Sequence, residues 1–136
     1  MKIQHIIPLL LLAICCTVHA QSTNAPFRHA VFVSSGHTVT GTFMLSFCFT
    51  NVSKSVINPE PLLEKSSLRV NGKEVDSWPL SISNGLRDSR WESLPPGDHL
   101  EFAYAMGEPD FKPHGVYDVV WVVQGQASKP FKIEVK

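Results

Sequence analysis

Cys48 is the side chain in the body of this chain with the strongest intrinsic nucleophilicity, and it would serve catalysis only if a neighbouring base or cation lowered its pKa. Its place argues against that role. It lies between Phe47 and Phe49 inside an alternating run, whereas catalytic groups usually sit on loops or strand ends held by a scaffold. A packed structural cysteine is the reading that follows, with an intermolecular disulfide, and hence a dimer through Cys48, as the alternative. His29, His37, His99 and His114, with Met44 and Cys48, are ligand types that suit copper. Spacing does not assemble them, since Met44 and Cys48 share a strand face but stand about 13 Å apart. No His-x-His or Cys-x-x-Cys occurs. The histidines are therefore read as surface or turn residues, with no metal and no cofactor expected, and copper binding follows only if they converge in space.

Hydrolase signatures are missing: there is no Gly-x-Ser-x-Gly, no phosphate-cradling glycine loop and no His-Glu-x-x-His. Glu60, Glu64, Glu101 and Asp110 read as solvated charges, so the chain is not expected to be an enzyme. Asn51-Val52-Ser53 is formally a glycosylation sequon. The pattern that points most clearly to binding is Trp78 with Arg87, Asp88, Arg90 and Trp91 around Ser83-Asn84-Gly85-Leu86. Trp and Arg dominate interface hot spots because they combine large area with directed donors. In the competing reading Trp91 seals one end of the fold while Arg87 and Arg90 pair with Asp88 and Glu92.

The chain that must position these groups has 136 residues, 43% hydrophobic and 18% charged, with Lys+Arg 12 against Asp+Glu 12. That is the composition of one ordinary globular domain, and it excludes wholesale disorder. A formal net charge of zero without a dense Lys/Arg run removes the electrostatic footprint of nucleic-acid or polybasic membrane binding. Residues 1–20 read as a secretory signal: Lys2, an apolar stretch from Ile6 to Cys16, then Val18-His19-Ala20 before the cleavage point. The stretch is shorter than the roughly 20 apolar residues of a membrane span. The expected organisation is a signal peptide at 1–20, a flexible segment at 21–26 and one domain at 27–136. Cleavage would place the mature chain in the periplasm or outside the cell, with no membrane insertion, and would leave Cys48 as its single cysteine, precluding an intramolecular disulfide.

From Phe27 onward apolar residues recur at every second position, the period of a half-buried strand. Phe43, Leu45, Phe47 and Phe49 form the clearest run, and Leu100/Phe102, Tyr117/Val119/Trp121 and Phe131/Ile133 are others predicted to face the same core. Asn71-Gly72 predicts a tight hairpin, Pro95-Pro96-Gly97-Asp98 a break, and Gln124-Gly125 a second hairpin. Only Pro59 to Lys65 looks able to make a helical turn. Several short strands separated by turns indicate an all-β sandwich or barrel.

Thr50-Asn51-Val52-Ser53, the Asn71-Gly72 hairpin, Leu94-Pro95-Pro96-Gly97 and Gly115-Val116-Tyr117-Asp118-Val119 together resemble the immunoglobulin-like sandwich of exported bacterial proteins. The resemblance implies an antiparallel β-sandwich of about seven strands with Tyr117 in a tyrosine corner. A non-enzymatic protein-binding module of the cell envelope is the function first expected, with Trp78, Arg87, Arg90, Trp91, Asn58 and Pro59 as its binding residues. The alternative is a protease inhibitor acting through sandwich loops. Asn58-Pro59-Glu60-Pro61 is similar to the Asn-Pro loop of chagasin-like cysteine-protease inhibitors, and Lys129-Pro130-Phe131 to their Arg-Pro-aromatic loop. The Pro-Gly and Gly-x-Tyr-x-Val segments also resemble the bacterial proteinase inhibitors typified by the Bacillus intracellular one.

Overall fold

Phe43, Leu45, Phe47 and Phe49 alternate with smaller or polar neighbours, and they become the inward face of a nine-residue strand, β3 (Phe43–Asn51). In the computed structural model, which describes residues 24–136, β3 is the middle of a three-stranded antiparallel sheet. It lies between β1 (Phe27–Phe32) and β6 (His99–Met106). The signal reading at 1–20, and the start of the segment at 21–26, lie outside the described residues. The second sheet runs β2 (Thr38–Val39), β9 (Phe131–Val135), β7 (Gly115–Val123), β4 (Ser67–Val70) and β5 (Lys73–Glu74), with β8 (Gln126–Ala127) also on β7. Only β2 on β9 is a parallel pair, because the chain leaves β1 and crosses directly to the other sheet. The result is an all-β, immunoglobulin-like sandwich with nine strands among the described residues, three of them two residues long.

The turns follow from local backbone chemistry. Asn71 and Gly72 both take positive φ, 49° and 79°, as the β4–β5 hairpin requires. Gln124 and Gly125 do the same between β7 and β8, at 50° and 73°. Tyr117 makes the corner anticipated for it: its hydroxyl accepts the Lys112 N–H at 2.8 Å and donates to the Lys112 carbonyl at 3.0 Å.

Leu45, Phe47 and Phe49 from one sheet meet Leu68, Val119, Trp121 and Ile133 from the other, all fully buried. Leu100 and Phe43 join them, while Phe102, Tyr117 and Phe131 pack at the margin of the same core. The Phe47 ring is its hub, within 4.8 to 6.1 Å of the rings of Trp78, Trp121, Phe102 and Tyr104. Burying two indoles leaves two N–H groups to satisfy, and Ser66 serves both. Its hydroxyl oxygen accepts from Trp78 Nε1 and Trp121 Nε1 at 3.1 Å each, and donates to the Leu63 carbonyl at 2.6 Å.

Two helices interrupt the β pattern. α1 (Glu60–Glu64) is the turn anticipated after Pro59. α2 (Trp78–Asn84) was not anticipated, although its sequence carries a proline in the first turn and an apolar pair, Trp78 and Ile82, four residues apart. It lies in the crossover from β5 to β6, and Trp78 covers the side of the core beyond Tyr104.

Two expectations about polar groups, those for His29 and Cys48, are corrected, and the buried Asn51 takes a structural place of its own. His29 is not a surface residue but 4% exposed, on the inward face of β1. Its Nε2 lies 3.0 Å from the Trp121 carbonyl and 2.9 Å from that of Gln126. Burial lowers its pKa, with the two backbone hydrogen bonds opposing. Cys48 is 1% exposed and disulfide-bonded, which differs from the cysteine left alone. Asn51, the sequon residue, is fully buried. Its amide donates to the carbonyls of Ser55 and Leu94 at 2.7 and 2.9 Å, and its oxygen accepts from Ser53 N–H and Oγ. Because β3 enters a loop here, this side chain supplies the hydrogen bonds that the ladder no longer can.

Candidate interaction site

The elements outside the strands converge beside the β5–β6 crossover. Pro59 starts α1, and Asn58 Oδ1 accepts the Glu60 N–H at 3.2 Å as it does so. Glu60 and Glu64 then stand four residues apart on one face of the helix. Arg87, just past α2, reaches across to both: Nη1 donates to Glu60 Oε1 and, at 2.9 Å, to Glu64 Oε1. Its Nη2 donates to the Ile82 carbonyl at 2.9 Å, one of the acceptors that the end of α2 leaves open. The guanidinium carbon lies 4.9 Å from the centre of the Trp91 ring, a cation–π contact. Partial burial would lower the Arg87 pKa, but the hydrogen bonds to Glu64 and Glu60 outweigh it and the net shift is upward.

Asp88 opens the 3-10 helix Ser89–Trp91 by accepting the Arg90 N–H at 2.9 Å. The Arg90 side chain folds back onto the same carboxylate, with Nη2 at 2.7 Å, and its Nη1 donates to the His99 carbonyl at 3.0 Å. The Arg90 side-chain hydrogen bond therefore holds Asp88 below the usual carboxylate range. Glu60, Arg87, Asp88, Ser89, Trp91 and Glu92 line a shallow open hollow. Between Gly85 and Arg87 projects Leu86, 101% exposed, and Leu80 on α2 is exposed as well. A Cβ at Gly85 would run into the Tyr104 hydroxyl, so a larger residue here would have to displace that ring.

Of the residues singled out for binding, Arg87 and Trp91 do come together, with Asn58 and Pro59 brought near through Glu60, whereas Arg90 is bound to Asp88 and the His99 carbonyl. Trp78 and Trp91, at 1% and 3% exposed, are core residues, since each indole packs on the aromatic cluster around Phe47 and Phe102. Pro59 is buried and Asn58 is bound into the start of α1, so Asn58-Pro59-Glu60-Pro61 begins a helix and is not a projecting loop. Arg90 pairs with Asp88 as anticipated, whereas Arg87 pairs with Glu60 and Glu64 and not with its sequence neighbours. The Glu60/Glu64 spacing was the available signal for that receptor. Leu86, named only as the end of the segment around which the Trp/Arg pattern lies, was not singled out for binding, and no local period marks it as exposed.

Among the described residues no group of three or more His, Cys, Asp or Glu side chains is placed to hold a metal ion. His37 is held at the surface, with Nδ1 2.8 Å from the Lys132 carbonyl and its ring stacked on Phe131. Among the same residues no helix is long and apolar enough to cross a membrane.

No protein-family model matches the chain, and no curated protein matches it. Solved structures do. The chain is similar to the CARDB domain of the PF1109 protein from Pyrococcus furiosus in its solution NMR structure, with a TM-score of 0.53 at 11% identity over 81% of this chain and 94% of that one. The crystal structure of the same domain in complex with di-metal ions matches with a TM-score of 0.52 at 12% identity, over 80% of this chain and 91% of that one. At such identity the likeness is one of fold, the immunoglobulin-like sandwich.

Proposed function

We propose that this chain is a non-enzymatic, exported protein-binding module of the cell envelope, periplasmic or secreted, and that its contact surface is the ledge formed by Leu86, Arg87 and Arg90. The observation that carries the reading is Leu86: a large apolar side chain wholly in water, on a connector whose neighbours are locked. Arg87 is tied to two carboxylates, a carbonyl and an indole face, and Arg90 to Asp88 and a strand carbonyl. A surface already ordered loses little entropy on association, so an apolar tip one and four residues from arginines that are already held in place suits a protein partner. The absence of catalytic motifs and the leader-like first 20 residues support the non-enzymatic and exported parts of the reading.

The test is capture from an envelope extract, followed by affinity measurement with the isolated partner. Leu86→Asp should weaken binding by about 2 kcal/mol or more without moving the melting temperature, because Leu86 contributes nothing to the core. Arg90→Ala should weaken it as well. Arg87 is the wrong probe, since removing it unties α1 from α2 and confounds binding with folding. Reproducible turnover of a peptide, ester or glycoside, or affinity indifferent to Leu86→Asp, would overturn the proposal.

A further inference from the structure

The three-stranded sheet ends at β6, and the hydrogen bonds around that strand show which of its peptide groups face outward. Asn51 N–H donates to the Asp98 carbonyl at 3.0 Å, and Gly97 N–H donates to the Asn51 carbonyl at 2.8 Å. Asp98 therefore points toward β3, and so do Leu100, Phe102 and Tyr104, which lie opposite Phe49, Phe47 and Leu45. The intervening residues, His99, Glu101, Ala103 and Ala105, turn their N–H and C=O groups to the open edge. His99 is capped, its N–H by Asp98 Oδ1 at 2.8 Å and its carbonyl by Arg90 Nη1 at 3.0 Å. Glu101, Ala103 and Ala105 are exposed, and their peptide groups find no partner among the described residues.

Open edges are normally blunted by lysine, proline, a bulge or brevity. The other sheet follows that rule, with two-residue strands β2 and β5 at its margins and Lys73-Glu74 forming the second. β1, the opposite margin of the first sheet, is tied by the His29 ring to the Trp121 and Gln126 carbonyls. β6 has two alanines and one glutamate in the outward set and none of these protections.

We propose that β6 is a self-association edge, pairing antiparallel with β6 of a second copy of this chain about a dyad at Ala103. The sequence of the edge selects this occupant and this register. With Ala103 opposite Ala103 of the second copy, Glu101 faces Ala105 of the second copy and all three open residues on each side are paired. The two Glu101 carboxylates then stand about 13 Å apart along the edge, beyond the screening length of roughly 8 Å at physiological salt. A dyad at Glu101 would set like charges face to face, and a shift toward His99 would meet groups already capped. On the inner face Phe102 lies opposite Tyr104 of the second copy, and both rings are only partly covered in the single chain. This inference does not rest on the Leu86 ledge.

Sedimentation equilibrium of the purified protein over a range of concentrations tests it, with hydrogen exchange at β6. Dimer formation should protect the Ala103 and Ala105 amides, which exchange freely in the monomer. Ala103→Pro removes the outward N–H at the dyad without touching the ladder to β3 and should raise the dimer dissociation constant more than about tenfold. Ala103→Lys keeps the N–H but sets two ammonium groups face to face; it should act in the same direction, and it decides the matter if the proline variant fails to fold. A monomer at every concentration up to about 1 mM, or a dimer indifferent to both substitutions, would overturn the proposal. So would a monomer whose β6 amides are protected only by an added extended peptide.

Discussion

Replacing Phe47 with alanine should cost about 4 kcal/mol. The ring is fully buried on the inward face of β3 and lies within 4.8 to 5.4 Å of the Trp78, Trp121 and Phe102 rings. Burial of a phenylalanine removes on the order of 150 Å² of apolar surface from water, which at about 25 cal/mol per Å² is near 4 kcal/mol. Phe→Ala substitutions in other cores span about 3–5 kcal/mol. All four ring partners are held by strands or by the shared Ser66 hydroxyl, so the cavity can collapse little and the cost should not fall to the low end. A domain of this size then loses roughly 15 °C of melting temperature. Urea unfolding followed by tryptophan fluorescence reads it directly, because Trp78 and Trp121 both touch the site. Phe131→Ala, at the margin of the core and stacked on His37, should cost clearly less. A Phe47→Ala midpoint shift worth less than about 1 kcal/mol, or a larger loss at Phe131, would refute the placement of the core.

Tyr117→Phe deletes a hydroxyl that both accepts from and donates to the Lys112 backbone, and should cost about 1–2 kcal/mol in the same assay with an unchanged m value. Asn51→Ala leaves the buried Leu94 carbonyl and the Ser53 N–H without the side chain that serves them, and should cost roughly 2–3 kcal/mol by denaturant titration. His29 has its pKa lowered by burial, so the unfolded chain takes up the proton first as pH falls below the unfolded value of 6.5. Its contribution is complete above that value and is lost as pH drops through the lowered folded pKa; thermal scans on the acid side of pH 6.5 should show this loss, and His29→Gln should flatten it.

Strand existence and facing were legible because the backbone of a strand dictates side-chain direction: alternate residues share a face whatever lies across from them. Phe43 to Phe49, Leu100 and Trp121 could thus be assigned to the core before any partner was known, and Asn71-Gly72 announced its hairpin through the positive φ that both residues tolerate. The tyrosine corner was legible for the same reason, as its hydrogen bonds close within five residues. What tertiary structure alone decided are the pairings between distant segments. Arg87 reaches Glu60 across 27 residues and His29 reaches Trp121 across 92, and neither partner is marked by any local period. The same holds for Trp78 and Trp91, whose indoles are attractive to a partner and to a core alike; the open flank of the sandwich beside β6 drew both inward, because burying them there removes more apolar surface from water than a solvent-facing position could. Leu86, on the connector between the end of α2 and the bound Arg87, stays wholly in water, and no local period marks it for that place.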